Sequence, residues 1–137
     1  MVAALVAGAS PPAGFDVARV GAARDALLRK RAGHVARHWP LLAAGLGDAW
    51  PATFARWAAG RPGQGGLRDG WDVARALHAE GTLPPLAAGE LAVREATTRY
   101  DGVHPPRPRR LPALVRVGDA VAVQLLGRVR LHHRPRR

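Results

Sequence analysis

At 137 residues the chain has the size of one domain, long enough to bury roughly two-thirds of its unfolded surface without a disulfide or a metal. It has no cysteine, which excludes thiolate zinc sites, thiol catalysis and a disulfide scaffold. The net charge of +11 invites an anionic partner, yet all but one of the 21 basic residues are arginine, with Ala, Gly and Pro also abundant, so part of that charge is codon bias.

The apolar opening Val2 to Ala7 has no basic flank and soon meets Pro11 and Pro12. It is too short for a membrane span or an export signal, and a cytoplasmic protein with no membrane contact is expected. Met1 to Gly8 can form one or two helical turns, closed by Ser10, Pro11, Pro12 and Gly14. Asp16 is a good N-cap for a long helix, with Phe15 and Val20 as a hydrophobic staple. Val17, Val20, Leu27, Leu28 and Val35 share one apolar sector at 100° per residue, so the helix should reach about His38. Arg24 and Arg31 project into that same sector. An arginine placed there must snorkel, find a carboxylate or face a partner.

Trp39-Pro40 ends this helix, because the residue before proline disfavours helical dihedrals. A short helix from Pro40 to Leu46 should close at Gly47, and Asp48 should cap another carrying Trp50, Thr53, Phe54 and Trp57 on one stripe until Gly60. The loop Arg61 to Gly66 is glycine-rich, but it lacks a Lys-Ser/Thr ending and follows a helix, so it reads as a connection and not a phosphate site. Asp69 should cap a helix to about Glu80, with Trp71, Ala74, Leu77 and His78 on one face. The last helix should run from Pro85 to Tyr100, with Leu86, Gly89, Val93, Ala96 and Tyr100 inward. Glu90 borders that face and is the natural partner for Arg31.

From Asp101 the character changes. Residues 1–103 carry 12 basic and 9 acidic side chains, whereas residues 104–137 carry 9 and 1. Residues 101–112 read as an extended Pro/Arg-rich linker. Leu114 to Val117, Val121 to Leu126 and Arg128 to Leu131 read as strands of a short antiparallel meander, turned at Gly118-Asp119 and Gly127. So small a sheet needs the helical part or a partner to pack on. The fold class is therefore mainly α with a small β tail (α+β): a bundle of about five helices over residues 1–100, the linker, and a β-rich basic segment over residues 113–137.

Trp39-Pro40-Leu41-Leu42, then Leu46-Gly47 and Phe54, then Arg61-Pro62, Asp69-Gly70-Trp71, Leu86-Ala87 and Glu90-Leu91 form an ordered series. Over roughly residues 16–100 it resembles the helical domain of the HvfC/BufC family, a domain that carries a DNA-binding label. Arg29-Lys30-Arg31 and the basic β-rich tail resemble an actinobacterial branch. The broader family's Tyr-Arg-x-Asn motif near that position lacks its Tyr and Asn here. The resemblance implies a non-catalytic partner of a multinuclear iron oxygenase that modifies ribosomally made peptides, helping to engage the precursor peptide. The iron ligands would then lie on the oxygenase.

For that role Arg24, Arg31, Trp39 and Trp71 are the candidate partner- and peptide-binding residues, with Arg31 and Glu90 as a structural ion pair. The alternative is a nucleic-acid binder using Arg107, Arg109, Arg110, Arg134, Arg136 and Arg137 on phosphates. Trp39, Trp50, Trp57 and Trp71 also suit a core. His34 and His38 stand at i, i+4, but no third ligand accompanies them, so no metal or other cofactor is expected. Glu90 and Glu95 fall on different faces of one helix, and no Ser/His/Asp series recommends itself, so no independent enzyme activity is expected.

Overall fold

A computed structural model describes residues 16–135. The expected opening turns, the Phe15 staple, Arg136 and Arg137 lie outside them. Helix α1 spans Val17–His38, and the Asp16 carboxylate accepts the Ala18 N–H at 2.9 Å as its cap. Its C-cap, Trp39, takes φ −127° and ψ 64°, forced out of the helical region by Pro40. Helix α2 (Pro40–Leu46) follows at once, and Gly47, at φ 55°, opens a 3-10 turn over Gly47–Ala49. Asp48 therefore sits inside this turn, and α3 (Trp50–Ala58) begins without a side-chain cap.

Helix α4 spans Gly66–Ala79, starting one turn before Asp69, because Gly65 at φ 94° lets the chain enter the helix directly from the loop. Asp69 is thus within the helix and 3% exposed. Helix α5 (Pro85–Thr97) stops short of Tyr100. The β-branched Thr97-Thr98 pair favours extension there, and the Thr97 hydroxyl donates back to the Val93 carbonyl at 2.9 Å.

The tail builds two antiparallel sheets. In the first, β1 (Thr98–Arg99) pairs with β2 (Arg107–Pro108), so part of the expected linker is a ladder and not a free spacer. Arg109 extends it, its N–H donating to Thr97 O at 2.8 Å. In the second, β3 (Ala113–Val117), β4 (Ala120–Leu125) and β5 (Arg128–His133) form a meander in sequence order. Register and alternation put Val117, Ala120, Ala122 and Gln124 inward, where they are buried. The sheet packs on α5, where Gly89 leaves room for Leu131 and His133. Helix α5 is consequently covered by the sheet on one side and by α2 and α4 on the other.

The helical core centres on Trp39, Leu42, Phe54 and Trp71, each at most 1% exposed. Trp39 and Trp71 meet edge to face at 5.7 Å, and Trp71 lies 5.1 Å from Tyr100. The small face of α4 makes this packing possible. A Cβ on Gly66 would lie 2.6 Å from the His34 carbonyl oxygen, and one on Gly70 2.1 Å from the Trp39 ring.

Two substitutions of the same kind should therefore have opposite signs. Gly70→Ala should destabilise by about 1–3 kcal/mol, because the buried indole has nowhere to move. Gly21→Ala, on the open surface of α1 with nothing within 4 Å of the new methyl, should stabilise by about 0.5–1 kcal/mol. Urea melts of both variants check the pair; equal effects would contradict the packing described.

Candidate functional site

The structure divides the expected site residues into core, brace and surface. Trp39 and Trp71 are core and present no face to a partner. The Trp39 indole N–H donates to Leu67 O at 2.9 Å, and that of Trp71 donates to Glu95 Oε1 at 2.8 Å. Neither is the partner-facing residue expected from sequence, and that expectation is corrected: a tryptophan near a helix terminus looks the same from sequence in either role, and both are buried.

Arg31 is a brace, with its side chain 19% exposed. It reaches Asp69 Oδ2 at 3.3 Å and Arg61 O at 3.0 Å and lies over Phe54 at 5.6 Å. The expected Arg31–Glu90 pair is not formed. Asp69 takes the arginine because α4 starts early and turns this carboxylate towards α1, where it also accepts the Gln64 N–H at 3.0 Å.

Glu90 is engaged elsewhere. It accepts the Leu42 N–H at 2.7 Å and that of Leu41 at 3.4 Å, capping α2, whose own N-cap, Trp39, has no acceptor side chain. Burial pushes the Glu90 carboxyl above its usual range, against the opposing pull of those amides and of Arg94. Arg94 closes the joint, donating to His38 O and stacking over Trp39 at 4.5 Å.

A second brace escaped sequence reading. Arg75 grips Glu95 through two nitrogens, at 2.6 and 2.9 Å, and also donates to Tyr100 O at 2.6 Å. The hydrogen bond to Glu95 is the main cause holding this guanidinium above its usual pKa. Tyr100, its own phenol raised by burial, donates to Asp72 at 3.1 Å.

The remaining candidates are on the surface. Arg24 is exposed on the first half of α1, beside Val17 and Leu27, and makes no ion pair with another described residue. Arg107 and Arg109 line a cleft of about 620 Å³ between the end of α5, α4 and the segment 99–109. Arg110 is exposed just beyond it, and Arg134 follows β5, its N–H bound to Asp119 O at 2.8 Å. These basic residues lie in or just after β2 and just after β5, in different sheets, and form no single stripe along one element.

The outer face of the three-stranded sheet carries Leu114, Val121, Val123 and Leu125 between Arg116 on one side and Arg128 and Arg130 on the other, as the register requires. Leu114 is 72% and Leu125 56% exposed. Every residue of the outer strand β5 is exposed. Among the described residues no group of three or more His, Asp or Glu stands together to hold a metal, and no helix is long and apolar enough to cross a membrane.

Comparison with known proteins places this geometry in context. Residues 1–79 match the profile of a family described as SCO6045-like, C-terminal domain. A UPF0276 protein of Streptomyces avermitilis is 36% identical over 107 residues, which make up 77% of this chain and 22% of that relative. The chain thus spans about a fifth of the length of the curated relative it matches. No solved structure matches it.

Proposed function

We propose that this chain, which belongs to the SCO6045-like C-terminal domain family, is a non-catalytic partner that docks on a multinuclear iron oxygenase and helps engage its ribosomally made precursor peptide. The resemblance to HvfC/BufC proteins suggests the role, and the exposed outer face of the β3–β5 sheet carries it. An apolar row flanked by arginines, on a sheet already anchored to α5, has the make-up of a docking surface. The exposed edge of β5 offers unpaired backbone groups to which an extended peptide can add as a further strand.

The long relative supports the same reading. There a segment similar to this chain shares one polypeptide with a remainder several times larger. Covalent linkage supplies effective concentration, so a unit of this kind can work by contact with a partner held beside it. The internal polar residues leave little else to work with: Arg31, Asp69, Arg75, Glu90, Glu95 and Arg94 are all committed to joining helices.

Co-expression with a multinuclear iron oxygenase of the proposed kind, taken from the same genome, should yield a complex that persists on a sizing column at about 0.5 M salt, where exposed ion pairs are screened. Leu125→Glu should disrupt it while leaving the fold intact. Dissociation of the unsubstituted pair at that salt would overturn the proposal. Nucleic-acid binding by Arg107, Arg109, Arg110, Arg134, Arg136 and Arg137, the alternative, would instead give an affinity falling steeply with ionic strength.

A further inference from the structure

Arg99 and Arg107 are directly opposed partners on the β1–β2 ladder. Opposed side chains share one face with Cβ atoms roughly 5 Å apart, and like charges in that position are destabilising. Neither guanidinium forms an ion pair or a hydrogen bond with another described residue. Both open into the cleft of about 620 Å³ together with Arg109. Arg109 is held in place by its Nε, which donates to Glu95 O at 2.8 Å, leaving the two outer nitrogens of its guanidinium unengaged.

The acids of the cleft do not relieve this charge. Glu95 is taken by Arg75 and Trp71. Asp101 is taken by its own turn, accepting the His104 and Val103 N–H groups at 2.7 and 2.9 Å and contacting the His104 ring at 2.7 Å; the backbone bond from His104 is the main cause depressing its pKa. Three guanidinium groups therefore line an open cavity, and none of them is paired with either of its two carboxylates.

We propose that this cleft is a carboxylate site, in which Arg99, Arg107 and Arg109 grip acidic side chains of a peptide. It rests on the reading of the chain as a peptide-engaging partner and names the chemistry of the segment engaged. The guanidinium fork matches a carboxylate with two parallel hydrogen bonds, and the volume suits one or two side chains. A nucleic-acid strand is the poorer occupant. Of the two rings in the lining, that of Tyr100 is covered by Trp71 and Arg75 and that of His104 is tied to Asp101, so the cleft offers no row of open faces for successive bases to stack on.

The test measures fluorescence anisotropy of labelled hexaglutamate, hexaglutamine and an oligonucleotide of equal charge against the whole chain. Hexaglutamate should bind in preference to hexaglutamine and to the oligonucleotide, and Arg99→Ala/Arg107→Ala should weaken it by about tenfold or more. Arg19→Ala/Arg37→Ala, which removes the same charge from α1, should change it by less than about twofold. The cleft variant should melt no lower than the parent, since it removes only unpaired like charges. Equal losses in the two double variants, equal binding of the two peptides, or tighter binding of the oligonucleotide through Arg99 and Arg107 would each overturn the assignment. Binding is read on the chain alone, so its outcome is separate from that of the oxygenase complex.

Discussion

Replacing Trp71 with alanine is expected to lower the folding stability by about 3–5 kcal/mol, a large share of what a domain of this size possesses. The side chain is 1% exposed and touches the edge of Trp39, the ring of Tyr100 and the guanidinium of Arg75. Its removal leaves a cavity where α4, α5 and the end of α1 converge, because the small residues of α4 that admit the two indoles cannot close over the gap. It also strips a donor from Glu95. Trp71→Phe separates these effects: it keeps most of the ring contact and loses the 2.8 Å hydrogen bond, so the cost should fall to about 1–3 kcal/mol. Denaturant titrations followed by circular dichroism give both numbers. An alanine variant within about 1 kcal/mol of the parent would mean that the paired indoles do not pin the helices.

Much of the helical part was legible because its signals are local. The Asp16 cap, the Trp39-Pro40 break and the stripe of Trp50, Phe54 and Trp57 depend on residues within a few positions of one another. The tertiary partners were not legible. Arg31 stood out as a cation in an apolar sector, but its carboxylate is Asp69, which sequence assigns to a cap because Ser, Thr, Asn and Asp ahead of an apolar run usually cap. Glu90 does cap a helix, though one 48 positions away in the chain, and no sequence spacing announces such a cap.

The cleft was hidden for a related reason. Reading the last helix as far as Tyr100 placed Arg99 on a helix surface, and reading residues 101–112 as a linker placed Arg107 and Arg109 in solvent. The short ladder that brings Arg99 and Arg107 together is anchored by Arg109 on the backbone oxygens of Thr97 and Glu95. A carbonyl acceptor of this kind has no side-chain identity to recognise. Proline and arginine enrichment described the composition of that segment correctly without revealing that it returns to the helix that precedes it.

The second large effect is expected in peptide modification itself. A partner that holds the precursor beside the oxygenase raises the effective concentration of the reacting segment, and should accelerate modification by about tenfold or more when the peptide is dilute. In the proposed role the chain would need no reacting group of its own, only two surfaces used together: the sheet face for the oxygenase and the arginine cleft or the β5 edge for the peptide. The most direct measurement is mass-spectrometric quantitation of the modified precursor with the oxygenase alone, with this chain alone, and with both. Rapid product formation with both and none with this chain alone is the result expected. Equal rates with and without the chain, or product from the chain by itself, would contradict a role in gripping and presenting a substrate.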